Sequence, residues 1–208
     1  MKKPLSFAKP KTIVINLYGG PGTGKSTTAG DLFAYLKKRG VNCELVREYV
    51  KDWVWEQRKI RASDQVYILA KQSRKEQILY GQVDVIITDA PMWLSPIYES
   101  EYGIFPYVCD DIVFKFQQEA EAQGVHFEHV FLNRVHEYDP TGRFQNKEQA
   151  IEIDNKIKNY LTKARIEFSQ FDATDGVARK IAKYFDLIPI KNAYTGAPSK
   201  PKAKKKSV

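Results

Sequence analysis

The chain has 208 residues, a hydrophobic fraction of 43% and a formal net charge of +8. That size and composition suit one soluble domain with a sizeable core. No apolar run is long enough to span a membrane, and two cysteines, Cys43 and Cys109, form neither a disulfide framework nor a metal-ligand spacing, so a reducing, cytoplasmic setting without a membrane partner is expected.

The charge is unevenly spread. Lys2, Lys3, Lys9 and Lys11 at the head and Lys200, Lys202, Lys204, Lys205 and Lys206 in the tail account for the excess, which leaves the body near neutral. Met1-Lys2-Lys3 ahead of an apolar stretch faintly imitates a secretory signal, but Pro10 and Lys11 interrupt it, and residues 1–11 are read as a basic arm.

Thr12 to Tyr18 is β-branched, aliphatic and uncharged, and predicts a buried strand. Ser26 to Leu36 predicts a helix with Leu32, Tyr35 and Leu36 on one stripe. Between them, Gly19-Gly20-Pro21-Gly22-Thr23-Gly24-Lys25-Ser26 fits the phosphate-binding pattern G-x-x-x-x-G-K-[ST], in the strand–loop–helix setting that pattern requires. Glycines let successive N–H groups turn inward on an anion, and the helix start adds positive partial charge. Gly19 through Thr27 are therefore the expected ATP cradle. Lys25 has the reach for the terminal phosphates, and the Ser26 hydroxyl suits Mg²⁺.

Lys37-Lys38-Arg39-Gly40 is a basic last turn with a glycine stop. Asn42 to Val46 then predicts strand two, Val50 to Trp55 a short helix, and Ala62 to Tyr80 a long amphipathic helix with Ser63 as its cap and Gly81 as its stop. Val83 to Thr88 predicts strand three, Pro106 to Ala122 a helix, and His126 to Leu132 strand four. A polar loop from Asn133 to Phe144 follows, then a helix over Lys147–Thr162, strand five over Arg165–Phe168 and a last helix over Gly176–Phe185. This alternation predicts an α/β fold: a doubly wound parallel sheet of about five strands with flanking helices and a lid loop. Ligands in such folds bind at the carboxyl ends of the strands.

Those ends carry the candidate chemistry. Strand one delivers the loop, strand two Glu48, strand three Asp89 and strand four Arg134. Phosphoryl transfer needs a cradle, a metal-holding carboxylate, a base for the acceptor hydroxyl and cations for the developing charge. Asp89 closes an apolar strand and is expected to hold Mg²⁺ with Ser26; a helix cap is the other use of an aspartate there. Glu48 is expected to take the acceptor's proton, although the two carboxylates can exchange these roles. Arg134 and Arg143 flank the Pro/Gly part of the lid loop and would bring positive charge to the transferred group. Tyr49, Trp53 and Trp55 cluster beside the expected acceptor site, as stacking faces or as core filler, and Gln65 and Gln72 can read the polar edge of a bound ring.

Taken together, Gly19–Ser26, Arg47-Glu48-Tyr49, Thr88-Asp89 and Tyr138-Asp139…Gly142-Arg143 resemble the nicotinamide-riboside-kinase-like branch of P-loop proteins, often described as AAA-type ATPase domains. The resemblance covers residues 12–186 and implies a P-loop kinase domain over 12–188. It also implies ATP as donor, Mg²⁺, a nucleoside- or nucleotide-like acceptor and a closing lid. By the same likeness Lys25 and Ser26 bind ATP and Mg²⁺, Glu48 or Asp89 is the base, and Arg134 and Arg143 are lid arginines.

Residues 189–208 have no apolar face and are expected to be a disordered Lys-rich tail, either merely solvating or an electrostatic arm for DNA. The leading reading is an ATP-dependent kinase for a nucleoside-like small molecule. Two alternatives stand beside it: a kinase for a hydroxymethylated base or an end within DNA, and an acceptor-free P-loop ATPase or switch.

Overall fold

β1 (Thr12–Tyr18) runs through the centre of a five-stranded sheet of order β2-β3-β1-β4-β5. The computed structural model describes residues 10–61, 63–102, 107–139, 141 and 145–188. After β1 come α1 (Lys25–Lys37), β2 (Cys43–Val46), α2 (Lys51–Trp55), α3 (Asp64–Gln77) and β3 (Val85–Thr88). The second half adds α4 (Leu94–Tyr102), α5 (Val108–Ala122), β4 (Val125–Asn133), α6 (Lys147–Lys163), β5 (Ser169–Asp172) and α7 (Val177–Tyr184). All four strand pairings are parallel.

The faces follow from the pleat. Ile15 and Leu17 of β1 pack with Leu32 and Leu36 of α1 and with Ala178 and Ile181 of α7. Tyr18 and Phe131 look the other way, into a layer with Leu69, Ile97, Val113 and Ile157 from α3, α4, α5 and α6. Right-handed crossovers demand this split. The chain moves one way across the sheet from β1 to β2, with α1 on one face. It then moves back through β3, β4 and β5, with its connecting helices on the other face. The sheet is doubly wound, as the alternation predicts.

Two elements depart from the sequence reading. Strand five is not Arg165–Phe168; β5 is Ser169–Asp172, paired in register Val130↔Ser169 to Asn133↔Asp172. The reason lies in how α6 ends. Arg165 adopts φ 56°, and Ile166 N donates to Leu161 O at 2.9 Å, which together make a Schellman stop. Ile166 and Phe168 then pack on the α3–α6 layer as part of that turn rather than in the sheet. The second departure is α4, which lies where the sequence predicts no element between Thr88 and Pro106. Pro96 sits in the first turn, where a missing N–H costs nothing, and Leu94 and Ile97 are buried. The start of α6 is fixed by a capping box: Asn146 accepts from Gln149 N, and the Gln149 side chain accepts from Asn146 N. Ser63 occupies the cap position of α3 without a side-chain cap bond. The expected Lys-rich tail, and all of the basic arm except Pro10 and Lys11, lie outside the described residues.

Candidate active site

The phosphate loop leaves β1 and enters α1 under tight steric control. Gly19 has φ 143°, and a Cβ there would stand 2.5 Å from Thr23 Oγ1. Thr23 closes the loop on itself, its Oγ1 donating to Gly20 O at 3.0 Å. Gly24 caps α1 in the left-handed conformation with no side chain over the helix end, so the first-turn amides are left to an anion. Ser26 and Thr27 are exposed at this end. Lys25 folds over the loop, its Nζ donating to Gly19 O at 2.7 Å and Gly20 O at 3.0 Å. Burial pushes the Lys25 pKa down, and Glu48, Asp89 and Asp154 oppose that shift.

Sheet register brings the two carboxylates to the loop. Asn16 of β1 is level with Thr88 of β3, and Thr88 with Val46 of β2. Glu48 and Asp89 therefore leave the sheet side by side, and Glu48 N donates to Asp89 Oδ1 at 3.0 Å. Asp89 is buried, and its Oδ2 has no hydrogen bond among the described residues. Glu48 is half-buried, and desolvation raises its pKa; Lys25 lowers it and Asp89 raises it further.

From β4 the chain delivers Arg134 to the same loop. Its Nε and Nη2 donate to Asp154 Oδ2 at 3.1 and 2.9 Å, and Asp154 Oδ1 accepts from Gly20 N at 2.5 Å. The third guanidinium nitrogen, Nη1, is buried without a hydrogen-bond partner among the described residues and lies 3.2 Å from where a Gly22 Cβ would stand. Tyr138 packs at the same spot, 3.1 Å from that Cβ position, and its hydroxyl donates to Gln145 O. Arg143, the other expected lid arginine, lies outside the described residues. His136 is tied to the end of β5, through Nε2 and Ala173 O at 2.8 Å.

Asp154 is the site residue that sequence reasoning missed. It shares a helical stripe with Ala150, Ile157 and Leu161, all fully buried. A carboxylate on the buried stripe of an amphipathic helix was the available signal.

A cavity of about 480 Å³ continues from the loop past Glu48 toward α3 and α4. Lys25, Ser26 and Thr27 line one end; Tyr49, Gln65, Gln72 and Tyr98 line the other. Gln72 is engaged by protein, its Oε1 accepting from Tyr49 N at 3.0 Å. Gln65 is 4% exposed, and its amide has no side-chain hydrogen bond among the described residues. Trp53 does not reach the cavity. It stands behind Tyr49, with ring centroids 6.1 Å apart, and Arg58 covers its face at 3.5 Å.

This geometry can be set beside known proteins. A family model described as an AAA domain matches residues 14–179, most of the chain. The chain belongs to the AAA domain family. Two solved structures of NadR protein share the fold of this AAA domain. One, a complex with NAD and AMP-PNP, has a TM-score of 0.60 at 12% identity. The other, a complex with NR, has a TM-score of 0.62 at 13% identity. Each match covers 88% of this chain, which spans only about half of NadR, 52% and 54% of the two solved chains. No curated protein matches this AAA domain. The five-stranded parallel sheet with its phosphate loop is the P-loop NTPase fold, and no described helix is long and apolar enough to cross a membrane.

Proposed function

We propose that this chain is an ATP-dependent phosphotransferase that moves the γ-phosphoryl group to a hydroxyl of a nucleoside-like acceptor. The observation that carries the reading is the cavity beyond the loop. A switch that only hydrolyses ATP needs room for a nucleotide and a water. Here the space runs on from Lys25 past Glu48 to Tyr49 and Gln65, an aromatic face and an amide suited to a ring with a polar edge, with Gln72 held in the wall by Tyr49 N. The NadR structures with AMP-PNP and with NR make nicotinamide riboside a natural member of the test panel.

The roles follow from position. The loop amides and Lys25 hold the β- and γ-phosphates. Glu48 faces the acceptor side of the cavity and takes the hydroxyl proton as the acceptor oxygen bonds to γ-phosphorus. The bond from phosphorus to the β–γ bridging oxygen breaks, and ADP leaves. Its raised pKa brings Glu48 nearer to neutrality and makes it a better base than an ordinary carboxylate. Arg134 Nη1, buried beside Gly22 and without a hydrogen-bond partner among the described residues, supplies positive charge to the phosphoryl group in flight. Mg²⁺ held by nucleotide phosphates needs only one or two protein oxygens, and the Ser26 hydroxyl and Asp89 carboxylate fit that donor set. When bound, the ion would neutralise the β- and γ-oxygens.

The test is ADP release from ATP, measured with and without each of a set of nucleosides and mononucleotides. Release that rises at least tenfold with one nucleoside supports the reading. Slow release that ignores every acceptor returns the chain to the switch class.

A further inference from the structure

Residues 47–75 concentrate positive charge in a body that is near neutral as a whole: eight Lys and Arg against four carboxylates, one of which, Glu48, lines the cavity. Four of these cations rest on aromatic rings. Arg58 lies 3.5 Å above Trp53, Lys71 and Lys75 lie 5.4 Å from Tyr67 and Tyr49, and Lys51 lies 5.7 Å from Trp55. The rings form one layer. Trp53 stacks on Tyr67 at 6.2 Å and 16°, and Tyr49 meets both edge-on at 6.1 and 5.9 Å. The Tyr49 and Tyr67 hydroxyls are 3.0 Å apart.

Trp53 itself is buried, but Tyr67 beside it is 45% exposed, and Trp55, on α2 outside this layer, is 64% exposed. Tyr49 belongs both to this layer and to the cavity wall, so the platform leads into the cavity. Cations interleaved with exposed rings match one polymer chemistry. A single nucleic-acid strand offers a phosphate at every step and a free π-face between them. A duplex keeps its bases stacked on each other, and an acidic peptide would leave the rings without a partner.

We propose that the α2–α3 face docks single-stranded nucleic acid and presents a nucleotide of that strand to the cavity. The docking stands on this surface alone. The seating of a nucleotide in the cavity rests on the phosphotransferase reading above.

The experiment is fluorescence anisotropy of a labelled oligo(dT) 12-mer on the full chain across a salt series. The variants are Trp55→Ala, Lys71→Glu, and a full-length chain with Lys200, Lys202, Lys204, Lys205 and Lys206 all changed to Ala. Trp55→Ala is expected to weaken binding about tenfold, the scale of one lost base stack. Lys71→Glu is expected to weaken it similarly and to flatten the log–log salt slope by about one or more. The tail variant keeps a binding that Trp55→Ala still weakens. Equal binding by Trp55→Ala, Lys71→Glu and wild type, with the affinity lost in the tail variant, overturns the proposal. So does equal affinity for a duplex of the same length, or no binding at low salt. Lys71→Glu lies outside the cavity and keeps turnover of any free nucleoside acceptor, so a failed acceptor assay and a failed docking assay are read separately.

Discussion

Replacing Asp154 with Ala should cost this chain a large share of its stability. Its carboxylate holds Arg134 through two bonds, at 3.1 and 2.9 Å, and accepts from Gly20 N. The two side chains are only 12% and 14% exposed. Asp154→Ala leaves a guanidinium nearly buried without its counter-charge and a loop amide without its acceptor. Breaking a buried pair in this way costs about 3–5 kcal/mol, and the residual exposure argues for the lower end, about 3 kcal/mol. For a domain of this size, 1 kcal/mol moves the melting temperature by about 2–4 °C, so the expected loss is about 6–12 °C. Asp154→Asn keeps an oxygen for Gly20 N and loses the charge, and should fall between. The assay is thermal unfolding followed by circular dichroism, with a double-mutant cycle through Arg134→Ala, whose coupling should be about 2 kcal/mol. An Asp154→Ala protein melting within about 1 °C of wild type would refute the reasoning.

The other expectations concern charge inside the site and the core. Lys25→Ala should lower phosphoryl transfer about 10²- to 10³-fold with the melting temperature little changed, since among the described residues Lys25 Nζ hydrogen-bonds just two loop carbonyls; an unchanged rate would remove the site assignment. Because burial raises the Glu48 pKa, the rate should climb with pH along a limb above the ordinary carboxylate value of about 4.3, and Glu48→Gln should abolish that limb. A profile already flat at about pH 5 would count against Glu48 as the base. Glu76 is wholly buried, with neither carboxyl oxygen hydrogen-bonded among the described residues and the Tyr80 hydroxyl beside it outside bonding geometry. Burial lifts its pKa from 4.5 to about 8. Between those values the folded chain binds a proton the unfolded chain has lost. Stability should therefore be full below the lower value and fall as pH rises through the window, by about 1.4 kcal/mol per unit. Urea unfolding from pH 5 to 8 should reveal that slope, and Glu76→Gln should remove it.

The strongest part of the fold was legible because it is written locally. A charge-free strand, a glycine-rich turn and an amphipathic helix are consecutive, so residues 12–37 needed no tertiary information. Strand ends carrying Glu48, Asp89 and Arg134 were legible from the parallel-sheet rule, and the structure brings all three to the loop. What failed depends on contacts distant in sequence. β5 is an edge strand with alternate residues exposed, so its composition carries little strand signal, while Ile166 and Phe168 look like strand but serve the stop of α6. Asp154 is one of many charges on a polar helix, and only the packing of Ala150, Ile157 and Leu161 makes its stripe the buried one. Of the two uses the sequence leaves open for Trp53, its burial behind Tyr49 fits core filler, which only the turn into α2 decides.

The central claim is that a second molecule occupies the cavity beyond the loop and receives the phosphoryl group. The most direct measurement follows the label from γ-labelled ATP, with Mg²⁺, onto a panel of nucleosides including nicotinamide riboside, mononucleotides and single-stranded oligonucleotides. The account predicts label covalently attached to a nucleoside-type hydroxyl, lost in Glu48→Gln and Lys25→Ala. Label found only in free phosphate, at a rate no acceptor changes, would contradict it.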